Sequence, residues 1–342
     1  MRPSSTPSTT PFLPPAAVSP PDGQFHPQSC PAPQSAHPLT INNFRYVRHM
    51  SDNVALMGLQ FVSGSIAACG AVTVTNPFDM LKTRRQLNNE LGMGGGGRIS
   101  LTRVWQLEGL AGLQRGLLPA YIYQILMNGT RFMVYEPTRL LFQRTLSNNA
   151  LLCNAMAGAG AGGVAAMIGT PFNLIKTRLQ SYSPHFQTGY QHGYTGIFPA
   201  IRSIYIHEGV RGFYRGISAS VLRTTAGSAA QLASYDGFKT RLLTLGFIDG
   251  MSVQLGAAMC SGVVACLIMN PFDVVMTRLY NQKGELYSGL VNCAVKTVRV
   301  EGVGALWRGL VPHFVRIGPH TVLTLVLLEQ VRSLLRPAFF AA

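Results

Sequence analysis

The fold class this sequence predicts is an all-α membrane protein of six transmembrane helices, built as three pseudosymmetric two-helix repeats with short connecting helices. Three observations lead there. Of 342 residues, 12% are charged and 47% hydrophobic, whereas soluble domains carry about 25% charged residues. Mean hydropathy is +0.20, yet 28 Lys and Arg against 13 Asp and Glu leave a net charge of +15; the chain is apolar and basic at once. The third observation is a short charged motif that occurs three times in order.

Basicity alone would also suit a nucleic-acid binder. Such proteins gather their cations on a hydrophilic face, while here they are scattered through apolar stretches, and no nucleic-acid partner is expected. The six cysteines (Cys30, Cys69, Cys153, Cys260, Cys266, Cys293) form no C-x-x-C pair, and none has a His at metal-ligand spacing. Neither a disulfide framework nor a zinc site is expected, and no cofactor.

Residues 1–50 hold eleven of the 21 prolines, one acid (Asp22) and three bases (Arg2, Arg45, Arg48). Nothing there can build a core, and the stretch lacks the arginines of an amphipathic transit peptide; a disordered Pro/Ser-rich tail is predicted. From Val54 to Thr75 the chain is uncharged, about the 20 residues that cross a bilayer core.

Self-similarity then organises the rest into repeats at 51–146, 147–246 and 247–342. Pro77-Phe78-Asp79-Met80-Leu81-Lys82-Thr83-Arg84 returns as Pro171-Phe172-Asn173-Leu174-Ile175-Lys176-Thr177-Arg178 and as Pro271-Phe272-Asp273-Val274-Val275-Met276-Thr277-Arg278. Downstream come Glu108-Gly109 with Arg115-Gly116, Glu208-Gly209 with Arg215-Gly216, and Glu301-Gly302 with Arg308-Gly309, the Glu-to-Arg spacing seven in each. A second acid-x-x-base element follows at Glu136/Arg139, Asp236/Lys239 and Glu329/Arg332. Each repeat has room for two long apolar helices and a short one, which places spans near 54–86, 116–145, 150–181, 217–244, 252–281 and 310–335. Small residues (Gly64, Ala67, Gly70; Gly158, Gly160, Gly162; Gly256, Ser261, Gly262) let neighbouring backbones approach, and a Pro inside each odd helix predicts a kink.

These motifs resemble the mitochondrial carrier family, whose signature P-x-[DE]-x-x-[KR] stands in each of three repeats; the resemblance covers about residues 54–336. It implies six tilted helices around a central cavity in the inner mitochondrial membrane, open alternately to either side, with no catalytic chemistry. It further implies that the acid of one repeat bonds the base of the next around a ring that closes the matrix side. Carried over, the pairs are Asp79 with Lys176, Asp273 with Lys82, and Asn173 with Met276, the last neutral on both sides. Losing both partners leaves no stranded buried charge and predicts a weaker matrix gate. The family's glutamine brace falls at Gln86 and Gln180, with Tyr280 in the third position. The cytoplasmic ring pairs Glu136 with Lys239, Asp236 with Arg332, and Glu329 with Arg139, and is complete. The family's cardiolipin sites match Tyr194-Thr195-Gly196 with Tyr214-Arg215-Gly216, and Tyr287-Ser288-Gly289 with Trp307-Arg308-Gly309, which singles out Gly196, Gly216, Gly289 and Gly309. In repeat 1, Gly94 and Gln114 replace the aromatics.

Cargo is asymmetric, so its ligands are expected where the repeats differ. Eight residues past the Arg of each Arg-Gly stand Tyr123, Arg223 and Arg316, followed by Gln124, Thr224 and Ile317; Arg131 faces Gln231 and Thr324 at its equivalents. Neither Arg223 nor Arg316 has an acid at gate spacing, and an intramembrane Arg without a partner is a candidate anion ligand, its guanidinium suited to carboxylate or sulfate. Three cations suggest an anion of about two charges. His320, one turn after Arg316, is read as a hydrogen-bond donor. The third signature with its continuation to Gln282 resembles the oxaloacetate-transporting branch of the family, which implies oxaloacetate, related dicarboxylates and sulfate or thiosulfate as cargo, membrane lipid as a partner and a functional monomer. The alternatives are an amino-acid or nucleotide carrier, and a carrier-derived adaptor that does not transport. An enzyme is not expected: the glycines at 94–97 lack Gly-Lys-Ser/Thr, and His207-Glu208 lacks the second His of a zinc site.

Overall fold

The computed structural model describes residues 38–92, 97, 99–145 and 150–340. The tail expectation for residues 1–37, and Gly94, lie outside these. By its contacts the chain falls into two units, Met1–Arg48 and His49–Ala342. Of the first, only the opening turns of α1 are described; everything below concerns the second.

Among the described residues there are nine α-helices: α1 (Pro38–Leu87), α2 (Leu101–Leu113), α3 (Leu117–Thr145), α4 (Ala150–Ser181), α5 (Ile197–Phe213), α6 (Ile217–Thr244), α7 (Met251–Asn281), α8 (Leu290–Glu301) and α9 (Leu310–Phe340). Two short 3-10 turns, Glu90–Gly92 and Val303–Trp307, complete the order. The long helices are the six expected spans. One boundary is corrected: α1 reaches back to Pro38, into the stretch expected to be unstructured, and begins at a proline, whose fixed φ suits the first helical position.

By length and apolar composition Gly58–Leu87, Cys153–Ser181, Met251–Asn281 and Val303–Pro337 qualify as membrane spans. α3 and α6 do not, because they carry the polar lining of a central cavity: Gln124, Asn128 and Arg131 on α3, Arg223, Thr224 and Ser228 on α6. Small residues set the approach of neighbours. A methyl group added at Gly160 would lie 3.2 Å from Thr138 of α3, one at Gly162 3.1 Å from Thr224 of α6, and one at Gly262 3.2 Å from Ile317 of α9. Gly70 of α1 faces Leu327 of α9, and Thr73 of α1 bonds Tyr121 of α3 at 2.7 Å, so the six helices close a ring.

The signature prolines lie inside continuous helices. Pro77 leaves the Thr73 carbonyl without its helical donor; Gln114 Nε2 takes it at 3.0 Å. Asn76, just before that proline, donates to Leu113 O at 3.1 Å, and Asn270 does the same to Leu306 O at 2.9 Å. In repeats 1 and 3 a polar side chain thus ties the end of the connecting segment to the odd helix of its own repeat, while Thr170, the repeat 2 equivalent, donates to Ala166 O of its own helix at 2.6 Å.

The Glu-Gly and Arg-Gly elements explain themselves here. Gly116, Gly216 and Gly309 have φ of +76°, +75° and +79°, the left-handed region that favours glycine. A Cβ at Gly116 would also lie 3.2 Å from Lys176 O, and one at Gly309 3.1 Å from Lys82 O, so each even helix starts pressed against an odd helix of a neighbouring repeat. The glutamates clamp the arginines that end each signature. Arg84 holds Glu108 at 2.7 and 2.8 Å, Arg278 holds Glu301 at 2.5 and 2.9 Å, and Arg178 holds Glu208 in the same two-pronged way. All three arginines are fully buried. Burial alone would raise these carboxyls, but the arginines hold Glu108, Glu208 and Glu301 below the ordinary 4.5, so the stability they contribute is present above that value and lost as pH falls through the depressed one.

From the same arginines Nε reaches the next repeat: Arg84 to Gln180 O at 3.1 Å and Arg178 to Tyr280 O at 2.8 Å. Arg278 Nε finds no partner among the described residues. The junction of repeats 3 and 1 is instead sewn by Leu91 N to Glu301 at 2.8 Å, Tyr287 Oη to Glu90 at 2.8 Å and Arg308 to Asn88 O at 3.1 Å. Burial raises the Glu90 carboxyl. His192, which contacts Asn281 O at 3.1 Å, is pushed down to about 4 by burial and by the Arg178 charge, and is neutral.

Removing one member of a buried clamp leaves an uncompensated charge, which costs about 3–5 kcal/mol. Glu301→Ala, which strands Arg278, is expected to lower the unfolding temperature of the purified protein in detergent well below that of the parent. An unchanged unfolding temperature would show that the clamp contributes nothing.

Candidate substrate-binding site

A cavity of about 290 Å³ lies between the six helices, lined among others by Asp79, Lys82, Tyr123, Gln124, Arg131, Asn173, Lys176, Arg223, Thr224, Asp273, Met276, Arg316 and His320. One turn of helix sets its floor: acid and base of each signature are three residues apart and share a face. Lys176 Nζ stands 2.9 Å from Asp79 Oδ2, and Lys82 Nζ 2.7 Å from Asp273 Oδ2. At the third corner Asn173 Nδ2 lies 3.9 Å from the Met276 sulfur, a weak acceptor. The structure therefore brings the three matrix-ring pairs together, each across two repeats.

Gln86 and Gln180 run parallel to them. Gln86 accepts from Thr277 at 2.8 Å; Gln180 accepts from Thr83 at 3.2 Å and donates to Asn76 at 3.0 Å. Tyr280, in the third brace position, is fully buried, its hydroxyl directed to Ser220 and Thr170 and its ring packed beneath Gly216.

The sequence left Arg223 and Arg316 without acids, and the structure corrects this. Arg223 Nε pairs with Asp273 Oδ1, and Arg316 Nη1 lies 2.7 Å from Asp79 Oδ1. Each of the two signature aspartates thus carries two cations, a lysine from one repeat and an arginine from another helix. The reason the partners escaped is distance along the chain: the acids lie 50 and 237 residues away. Arg131 differs. Its guanidinium donates to Ser228 at 2.9 Å and has no carboxylate partner among the described residues. Thr224 spends its hydroxyl on Ser220 O at 2.9 Å, and Tyr123 packs against α4 at Gly169. Ile317 is corrected: it sits outside the cavity, against Gly262 of α7, while its equivalents Gln124 and Thr224 line it. His320 Nδ1 lies 3.5 Å from Thr75 Oγ1. In charge, the lining holds five cations (Lys82, Lys176, Arg131, Arg223, Arg316) and two carboxylates (Asp79, Asp273), a surplus of three.

The opposite ring is not closed. Glu136 lies 3.5 Å from Arg139 on its own helix and Lys239 3.2 Å from Asp249, while Asp236, Glu329 and Arg332 make no ion pair among the described residues. The inter-repeat partners expected for this ring form no ion pair with one another among the described residues. Side-chain exposure of 39% and 46% for Arg139 and Glu136 leaves water to solvate them.

Two outer crevices place the glycines expected to bind lipid. One is lined by Arg115, Gly116, Tyr182, Tyr194 and Gly196, the other by Arg215, Gly216, Tyr287, Ser288 and Gly289. The grouping within one repeat is corrected: the helix start after Gly196 faces Arg115-Gly116 of repeat 1, and that after Gly289 faces Arg215-Gly216 of repeat 2. Gln114 lines the first crevice, and Tyr182, stacked on Arg115 at 4.7 Å, supplies an aromatic there. Gly309 lies against Gln86 and Lys82.

Sequence reading missed the Arg–Glu clamps, Asn76, Asn270, Ser228 and His313. The clamps were legible in principle, since both members recur in all three registers.

The family described as Mitochondrial carrier protein matches residues 55–146, 147–245 and 249–338. Among curated relatives, the mitochondrial oxaloacetate transport protein of Saccharomyces cerevisiae is 44% identical over 287 residues, 80% of this chain and 89% of that protein. That of Schizosaccharomyces pombe is 45% identical over 291 residues (80% and 90%), and mitochondrial citrate transporter E of Aspergillus niger 44% over 292 (81% and 93%). The chain belongs to the mitochondrial carrier family: it is a multi-pass protein of the inner mitochondrial membrane, a transporter and not an enzyme.

Installing the missing ion pair tests the neutral corner. The double variant Asn173→Asp with Met276→Lys is expected to slow transport several-fold in proteoliposomes while raising the unfolding temperature. Equal or faster turnover by folded protein would show that this corner does not limit opening.

Proposed function

We propose that the protein carries small divalent anions, oxaloacetate and related dicarboxylates with sulfate or thiosulfate, across the inner mitochondrial membrane by alternating access. The observation that carries this reading is the surplus of three positive charges in a cavity of about 290 Å³. That volume lies at the lower end of small-molecule pockets and favours a small metabolite over a nucleotide. The names of the relatives, two oxaloacetate transport proteins and a citrate transporter, support a carboxylate.

On this reading the structure is the state closed to the matrix and open to the cytoplasm. Arg223 and Arg316 face two competing anions each: a gate aspartate and the cargo. A carboxylate that draws both arginines leaves Asp79 and Asp273 each with one lysine, and the lock loosens. Binding energy is thereby converted into a shift between states, as differential affinity requires. Arg131, bonded only to a hydroxyl, receives the anion first. The rings formed by Asp79, Lys82, Lys176 and Asp273, and by Glu136, Arg139, Asp236, Lys239, Glu329 and Arg332, close in turn. Gly196 and Gly289 open helices whose free N–H groups suit phosphate, and with Gly216 they frame crevices for cardiolipin between repeats; Gly309 is assigned the same role. One repeat set makes one cavity, and the monomer is the transporting unit.

Uptake of labelled oxaloacetate, malonate, sulfate, aspartate and ATP into liposomes holding the purified protein tests the cargo. Oxaloacetate, malonate and sulfate are expected to enter, and Arg223→Ala to reduce their uptake at least tenfold. Uptake of aspartate or ATP alone would discard the anion class.

A further inference from the structure

We infer that His313 is a proton-binding site, taking up one proton when anionic cargo draws Arg223 from Asp273. The inference rests on the gate reading above. His313 lies four residues past Gly309, and its symmetry equivalents after Gly116 and Gly216 are Ala120 and Ser220. A histidine thus stands at this position beside one corner of the floor and not at the equivalent positions beside the other two. Its side chain is 5% exposed, and Nδ1 points at Asp273 Oδ2 across 3.5 Å without a hydrogen bond. Buried polar nitrogens are costly unless bonded, and His192 is spent on a backbone carbonyl in the ordinary way. His313 is held next to a carboxylate it does not yet bond.

The charges around it explain the vacancy. Lys82 of α1, Asp273 of α7, Arg223 of α6 and Arg316 on its own helix surround the ring. In the closed state one carboxylate already has Lys82 and Arg223, so a third cation would be repelled and the imidazole stays neutral. When cargo takes Arg223, Asp273 is left with Lys82 alone, one cation fewer than in the closed state. A proton from cavity water, bound at the imidazole, restores one positive charge for the one lost. On return of Arg223 that proton leaves. The released state holds one more proton than the closed state, so falling pH favours release and rising pH opposes it.

The test is initial-rate oxaloacetate exchange in proteoliposomes with equal pH on both faces, from about pH 6 to 8, for the parent and His313→Gln. The parent rate is expected to rise with falling pH, up to about tenfold per unit, the limit for one proton; the His313→Gln profile is expected to be flat. In weakly buffered detergent solution near neutral pH, oxaloacetate should draw about one proton per parent molecule. Either a parental pH profile in His313→Gln or no proton uptake by the parent overturns the inference, and the parental proton count decides if the variant fails to fold. A Lys82→Gln and Asp273→Asn double variant separates the two readings. Parental turnover and unfolding temperature in that variant would overturn the gate and this inference with it. Altered values there, with the parental pH profile kept in His313→Gln, would overturn the proton site alone.

Discussion

Two buried carboxylates, each shared by a lysine and an arginine, are the constraint on which the closed end of this protein depends. Asp79 joins α1 to α4 through Lys176 and to α9 through Arg316; Asp273 joins α7 to α1 through Lys82 and to α6 through Arg223. Five of the six long helices meet at these two residues. The sixth, α3, contributes the cation that no carboxylate claims, Arg131. Charges inside a membrane protein must pair or face water, and here that demand places the bridges and leaves one cation open to the cavity.

Threefold symmetry shows how completely the third corner was neutralised. Arg316 bonds Asp79 and Arg223 bonds Asp273, so the corresponding residue at the third corner, Tyr123, would address Asn173, whose signature partner is Met276. Acid, lysine equivalent and arginine equivalent are all absent from that corner. Keeping any one of them would strand a charge at a cost of about 3–5 kcal/mol. Ser220, rather than a titratable residue, occupies the position of His313 there, so the neutrality extends one layer further.

Much of this was legible in the sequence because a repeat fixes three registers at once. The six long helices fell within a few residues of their expected ends; α1 alone ran well beyond, starting at Pro38. What escaped was the pairing between helices. Arg223 looked unpartnered because acids were sought at the spacing of its own helix, whereas Asp273 comes from the neighbouring repeat. The residues expected to hold lipid were grouped by adjacency along the chain, yet an even helix starts against a neighbouring repeat, as the close approach of Gly116 to Lys176 O shows. Ile317 was placed in the cavity by its position after Arg316, yet it packs against Gly262 of α7, whereas Gln124 and Thr224 at the equivalent positions do line the cavity. His313 drew no attention, since its meaning lies entirely in an oxygen 3.5 Å off on another helix.

The replacement of one ion pair by two arginine bonds changes what can open the closed end. A Lys–Asp pair between signatures has no bidentate competitor within the cavity, because an ammonium is a point charge without a planar set of donors. An Arg–Asp bond does have one, since the guanidinium presents several donors in a plane and can turn them to a second carboxylate. A floor with three Lys–Asp pairs would be held by point-charge contacts alone. With two such pairs, each reinforced by an arginine, it is held in part by contacts that an anion alone can dissolve. On the proposed reading, closure without cargo and release with it are thus the same pair of bonds, counted before and after the anion arrives.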